Sequence, residues 1–296
     1  MKQTDWIAID TQPGRAEGWL LRGTDVLTQT RIDAPVAAPS PSDAAPLVAA
    51  MRTALSAPVD LPILIDGLAL RPVPVPGKPA ELVPQPLPGL TASALPPLAQ
   101  TSPSTGLLLG GVARLTGFFA LNPRWDGVIV MTGPVTHWVQ VSADEVVSFQ
   151  SALSAALAGA LTQAGLAGGP IDWDESAFNE ALDSTLSRPE RLASGLAALQ
   201  AAGQLGQVAP EAMAPRLSGL LTGAELAATR PYWLGQQIAV LGETTDARPY
   251  VTALERQGVP CLRADPVRLA LTGLIAHRRR QTAAAQDDET TSRPAQ

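Results

Sequence analysis

The sequence predicts an α/β protein built from two similar lobes. Three observations carry this: a strand–loop–strand–turn–strand unit near the N-terminus, a second copy of that unit beginning at Val128, and a C-terminal section in which helices and strands alternate. In the first copy the apolar run Trp6 to Asp10 reads as a strand, Thr11 to Arg15 as a loop and Ala16 to Leu21 as a second strand. The turn Arg22-Gly23-Thr24-Asp25 then leads into a third strand, Val26 to Ile32. In the second copy Val128 to Met131 is a continuous apolar strand, Thr132 to Val135 a Gly/Pro loop and Thr136 to Val141 an alternating strand. A turn over Ser142 to Glu145 and a strand over Val146 to Phe149 complete it. A helical pattern follows each triple, Ala44 to Leu55 and Ser151 to Gln163.

Between the copies, Leu61 to Ser104 is dense in proline from Pro72 to Pro103. It reads as an extended surface excursion, because proline removes ladder donors and breaks helices. After Gly169 the chain turns helical. Asp172 to Glu175 and Ser187 to Glu190 have capping-box spacing, which predicts helices over Glu175 to Leu186 and Pro189 to Ala202. Helix Pro215 to Thr229, strand Ile238 to Leu241, helix Asp246 to Gln257, strand Pro260 to Arg263 and helix Pro266 to His277 follow. The expected division is a first lobe over 1–120 with the excursion 61–104, a second lobe over 121–280, and a disordered polar tail over 281–296. Arg278-Arg279-Arg280 read as cations favoured by a helix C-terminus.

Composition narrows the function classes. Lys and Arg total 21 against 27 Asp and Glu, a net charge of −6 with a pI near 5.0, which argues against nucleic acid as a partner. With 46% hydrophobic and 16% charged residues, the chain has the material for a large core. His137, His277 and Cys261 are its only residues of their types, so a multi-His or Cys-rich metal cage and an intramolecular disulfide are excluded. Met1 to Asp10 lacks the form of an export signal, and the most apolar later window, Thr105 to Leu121, is broken by Arg114. The expectation is a soluble, cytoplasmic protein with no membrane partner.

Several runs then point in one direction: Ser187-Arg188-Pro189-Glu190-Arg191-Leu192, Arg216-Leu217-Ser218-Gly219-Leu220-Leu221-Thr222-Gly223-Ala224-Glu225-Leu226, Arg230-Pro231-Tyr232-Trp233, Val240-Leu241-Gly242 and Leu271-Thr272-Gly273-Leu274. In order and spacing, from Trp6 to about His277, the chain resembles the 2-dehydro-3-deoxygalactonokinases, of the actin-like/hexokinase-like ATPase superfold. The resemblance implies two RNase-H-like lobes around a central cleft, with ATP, Mg and a sugar acid as ligands.

It also implies roles. Asp10 takes the acidic, metal-holding and catalytic position; Gly14 and Arg15 of the first loop, with Gly133, Thr136 and His137 of the second, take phosphate. Gly219, Gly223, Glu225 and Gly242 take the nucleotide, with close helix packing as the alternative for the glycines, and Arg71 takes the substrate carboxylate. The departures fall on charged and phosphate-cradling positions. Gln12 stands where the family has Gly, Pro13 removes a donor, and Glu17 replaces an Arg; Val135 and His137 replace a His and a Lys. The family's Arg-Gly-Glu-Glu-Thr run aligns with Leu109-Gly110-Gly111-Val112-Ala113, and its Phe-Met-Thr-Gly-Glu run with Ala152-Leu153-Ser154-Ala155-Ala156. Two functions stay open: an ATP-dependent sugar-acid kinase with a rearranged site, and a catalytically silent homologue that retains the fold and acts, if at all, in binding or regulation.

Overall fold

The computed structural model describes residues 4–34, 40–167 and 173–291. Its contacts form two compact units. The first holds Met1–Trp125, Ser142–Ser148 and Asp265–Gln296, and the second Asp126–Val141 and Phe149–Ala264. Among the described residues no helix is long and apolar enough to cross a membrane.

The strands of the first unit are β1 (Asp5–Gln12), β2 (Arg15–Arg22), β3 (Asp25–Asp33), β4 (Ile63–Asp66), β5 (Val73–Pro74), β6 (Gln85–Pro86), β7 (Ala92–Ala94), β8 (Leu98–Gln100) and β9 (Gly106–Leu108). Six form one sheet in the order β3-β2-β1-β4-β7-β6, and β5, β8 and β9 form a small second sheet. β1 pairs antiparallel with β2 and parallel with β4. Side chains alternate across a strand, so Ile7 and Ile9 share one face. They pack there with Ile63 and Ile65 under Leu47, Val48 and Met51 of α1 (Ala44–Ala54). Trp6, Ala8 and Asp10 take the other face, where α9 (Pro266–Thr291) packs on β1 and β4 and is itself packed against α2 (Val112–Leu121). α2 and α9 meet backbone to backbone: a Cβ added to Gly117 would lie 2.0 Å from the Leu269 carbonyl oxygen, and one added to Gly273 would lie 1.8 Å from that of Ala113. That close approach fixes where α2 begins relative to the sheet.

In the second unit β10 (Gly127–Met131) pairs antiparallel with β11 (Thr136–Ser142), which leads into β12 (Glu145–Ala152), a strand that belongs to this unit from Phe149 on. Helices α3 (Ser154–Gln163), α4 (Glu175–Ser187), α5 (Leu192–Gln204), α6 (Pro210–Ala228) and α7 (Arg230–Trp233) follow. β13 (Ile238–Leu241), α8 (Thr244–Arg256) and β14 (Cys261–Ala264) end the unit. The sheet order β12-β11-β10-β13-β14 repeats the first unit's plan of an antiparallel triple extended by parallel strands. Val128, Val130 and Val240 pack with Phe178 and Leu182 of α4 and Tyr250 and Leu254 of α8.

Several expectations need correction. Ile63–Asp66 is a fully buried strand in the middle of the sheet, and Ala92–Ala94 is its parallel neighbour, so the proline-rich segment is not all surface excursion. The reason lies in the spacing: no proline falls between Pro62 and Pro72 or between Pro88 and Pro96. The last helix does not stop at His277 but runs to Thr291, through much of the expected tail, and it belongs with the first unit. Arg278 and Arg280 are therefore mid-helix; Arg278 lies 5.8 Å from the centre of the Trp6 ring, and Arg280 donates to the Ala80 carbonyl. Ser187 caps nothing, because it is the last residue of α4 and its hydroxyl donates back to the Asp183 carbonyl. Asp174, with its side chain accepting from the Ala177 amide at 3.0 Å, is the N-cap of α4, while Asp172 and residues 292–296 lie outside the described residues.

Replacing Gly273 by Ala tests the α2–α9 contact. Overpacking of this kind costs about 1–3 kcal/mol, and the urea midpoint of G273A is expected to fall with an unchanged m-value.

Candidate functional site

β1 and β4 run parallel, and their pairing ends with Asp10 opposite Asp66. Carboxyl ends of parallel strands are where α/β folds place their ligands. Asp10 also lies opposite Glu17 on β2, and Glu17 opposite Arg31 on β3. Directly opposed residues project to the same face, so Arg31, Glu17, Asp10 and Asp66 form one charged row across the sheet. Arg114 reaches this row from the first turn of α2. Its Nη2 donates to Asp10 Oδ2 at 2.6 Å, with the arginine side chain 6% exposed and the aspartate side chain 0%. Arg31 Nε donates to Glu17 from the partly exposed side.

Asp66 is held differently. Its Oδ2 accepts from the Gly111 amide at 2.9 Å and the Ala113 amide at 2.8 Å, so a strand residue caps the N-terminus of α2. Burial pushes its pKa up to about 6, the charge on Asp10 adds to the rise, and the two amides and Arg114 oppose it. Asp10 Oδ1 and Arg114 Nε are buried without a hydrogen-bond partner.

A hydrated divalent cation does not fit Asp10 as it stands. One carboxylate oxygen is held by a guanidinium, the other is buried, and Mg surrenders its water reluctantly. Among the described residues, no group of three or more His, Cys, Asp or Glu is placed to hold a metal ion. The adjoining loop is also changed. The expected Thr11–Arg15 loop is a two-residue turn, because β1 and β2 stay paired as far as Gln12 and Arg15. Pro13 followed by Gly14 at φ +85° has the residue pattern of a type II turn. Proline has no amide hydrogen to offer a phosphate, and Arg15 stands in register between Gln12 and Asp33.

In the second unit the loop after β10 and the turn after β13 come together. A Cβ on Gly242 would lie 1.8 Å from Thr132 Oγ1, and the Thr132 amide donates to the Leu241 carbonyl at 2.8 Å. Gly133, beside them, has no heavy atom nearer than 3.7 Å to such a Cβ. The other residues assigned to this unit are differently engaged. Thr136 is fully buried and shares a 2.8 Å hydrogen bond with the Tyr250 hydroxyl. His137 Nδ1 lies 2.8 Å from Ser151 Oγ, and burial lowers its pKa to about 4, so the imidazole is neutral near pH 7 and supplies no cation.

Glu225 accepts from Trp138 Nε1 at 2.7 Å and from the Tyr250 hydroxyl at 3.0 Å. Burial raises its pKa while hydrogen bonds from Ser154, Trp138 and Tyr250 oppose the rise. These partners tie Glu225 into a buried hydrogen-bond network. Gly219 and Gly223 face α4, where a Cβ would come within 2.3 Å of the Phe178 carbonyl oxygen and 2.4 Å of that of Leu182. Contacts this short are those that the close-packing alternative describes. Arg71 is exposed, and its carbonyl accepts from Gln85.

Sequence reasoning missed Asp66 and Arg114 as site residues. Both left a trace. Asp66 ends the apolar run Ile63-Leu64-Ile65 as Asp10 ends its own, and Arg114 is the lone charge in the most apolar window of the chain, where a buried cation requires a partner.

Likeness to solved structures shows the actin-like/hexokinase-like ATPase fold, with an RNase-H-like sheet in each unit. A crystal structure of a provisionally assigned 2-dehydro-3-deoxygalactonokinase from Sinorhizobium meliloti is 22% identical, with a TM-score of 0.82 over 93% of this chain and 99% of that one. Component A of the (R)-2-hydroxyglutaryl-CoA dehydratase of Acidaminococcus fermentans is 9% identical, with a TM-score of 0.53 over 94% and 99%. The 2-dehydro-3-deoxygalactonokinase of Escherichia coli (strain K12) is 30% identical over 156 residues, 51% of this chain and 52% of that protein. The matched segment thus spans about half the length of this curated relative. The 2-keto-3-deoxy-galactonokinase profile matches residues 16–277, and the chain belongs to that family.

The histidines give a solution test. Both His137 and His277 have pKa values near 4, lowered first by burial, against about 6.5 in an unfolded chain. The unfolded state then binds more protons below pH 6.5, so their contribution to stability is complete above that pH and is lost as the pH falls towards 4. NMR titration of the native protein should show both imidazoles still neutral at about pH 5.5; a His137 pKa above 6 would contradict the buried placement.

Proposed function

We propose that this chain is a catalytically silent member of its sugar-acid kinase family, one that keeps the fold and has lost Mg–ATP-dependent phosphoryl transfer to a 2-keto-3-deoxy sugar acid. The observation that carries the reading is the buried Arg114–Asp10 pair, which removes the acidic group expected to hold the metal. Phosphoryl transfer depends on positioning and on charge stabilisation. The Pro13–Gly14 turn, the neutral His137 and the packed Gly219 and Gly223 weaken that support further. Loss of a single transition-state contact slows an enzyme by about 100- to 1,000-fold, and several losses compound. Any role it keeps is that of a binding or regulatory protein in the cytoplasm, without nucleic acid or membrane as partner.

One observation favours the second reading, an active kinase with a rearranged site. Asp66 has a pKa of about 6 beside Asp10, which suits a general base near neutral pH.

A coupled assay with ATP, Mg and 2-dehydro-3-deoxygalactonate separates the two, alongside thermal melting with and without Mg-ATP. The silent reading predicts no ADP above the no-enzyme background and an unshifted melting curve. A functional site filled at about 100 times its Kd would add roughly 2.7 kcal/mol of stability. Turnover that disappears in D66N would establish the second reading.

A further inference from the structure

The charged row has an arithmetic of its own. Glu17 is paired with Arg31, and Arg114 is the cation that the structure places on the buried carboxyls of Asp10 and Asp66. Two carboxylates at adjacent register positions in a water-poor site do not both ionise without positive charge beside them. Arg114 is delivered there by construction: Asp66 caps the α2 N-terminus, and α2 is pressed against α9 at Gly117 and Gly273. The guanidinium nevertheless meets only part of the site's hydrogen-bonding capacity, since Asp10 Oδ1 and Arg114 Nε are both buried and unpartnered.

We propose that Arg114 does the electrostatic work of a divalent cation at Asp10 and Asp66 and thereby excludes the metal, so that neutralising Arg114 uncovers a divalent-cation site on these two carboxylates. Mg-type ions commonly bind through one or two carboxylates plus water, so two are sufficient. The inference rests on the silent reading of the site, and it explains why Asp10 survives in a chain that does not use it for chemistry: the acid has become the partner of a structural arginine.

The test uses Mn2+ as probe, with free Mn2+ measured by electron paramagnetic resonance and folding by circular dichroism. Wild type, D10N and R114Q/D10N should leave Mn2+ free, whereas R114Q should bind about one equivalent. Should R114Q purify unfolded, it is refolded with and without MnCl2; native signal recovered only with the metal supports the proposal, and recovery in neither condition overturns it. Folded R114Q that ignores Mn2+ overturns it, as does wild-type protein whose Mn2+ binding disappears in D10N. Kinase turnover by wild type would defeat the silent reading through a different readout, so the two failures are distinguishable.

Discussion

The first unit turns on one buried ion pair, Arg114 with Asp10. An ion pair taken out of water is costly to form and more costly to break, because removing one partner strands the other charge. The elements around it follow from that constraint. β1 brings Asp10 to the end of the sheet, β4 brings Asp66 alongside, and α2 must start where its first turn can supply the arginine while its free amides meet Asp66. The backbone contact of α2 with α9 then holds that start in place.

The second unit shows the same economy with different groups. Glu225 lies on α6, the helix that also carries Gly219 and Gly223, and Trp138, Tyr250 and Ser154 satisfy it. Gly219 and Gly223 let α6 lie close on α4. These residues bear much of the family likeness in the sequence, and in this chain their contacts are with one another's elements. A buried carboxyl with its partners in place specifies packing.

The fold was legible because strand periodicity, triple strands and turn residues are local signals: Val128 to Met131 and Ile238 to Leu241 could be read from apolar run length alone. The candidate site was legible only in part. Asp10 could be placed by its position after an apolar strand, and the loss of cradle residues was visible at Gln12, Pro13 and Glu17. What the charges do instead was hidden, since Asp10 and Arg114 are 104 residues apart and their meeting depends on tertiary packing. The proline-dense segment concealed β4 in the same way: composition over Leu61 to Ser104 outweighed the three-residue apolar run Ile63-Leu64-Ile65 that burial makes a central strand.

The claim that Arg114 and Asp10 act as one buried unit is open to direct measurement by a double-mutant cycle. Unfolding free energies of wild type, D10N, R114Q and D10N/R114Q in urea give the coupling between the two side chains. The account predicts that R114Q, which strands the Asp10 charge, loses about 3–5 kcal/mol, and that the double variant recovers most of it because both charges go together. Additive losses, with a coupling near zero, would contradict it.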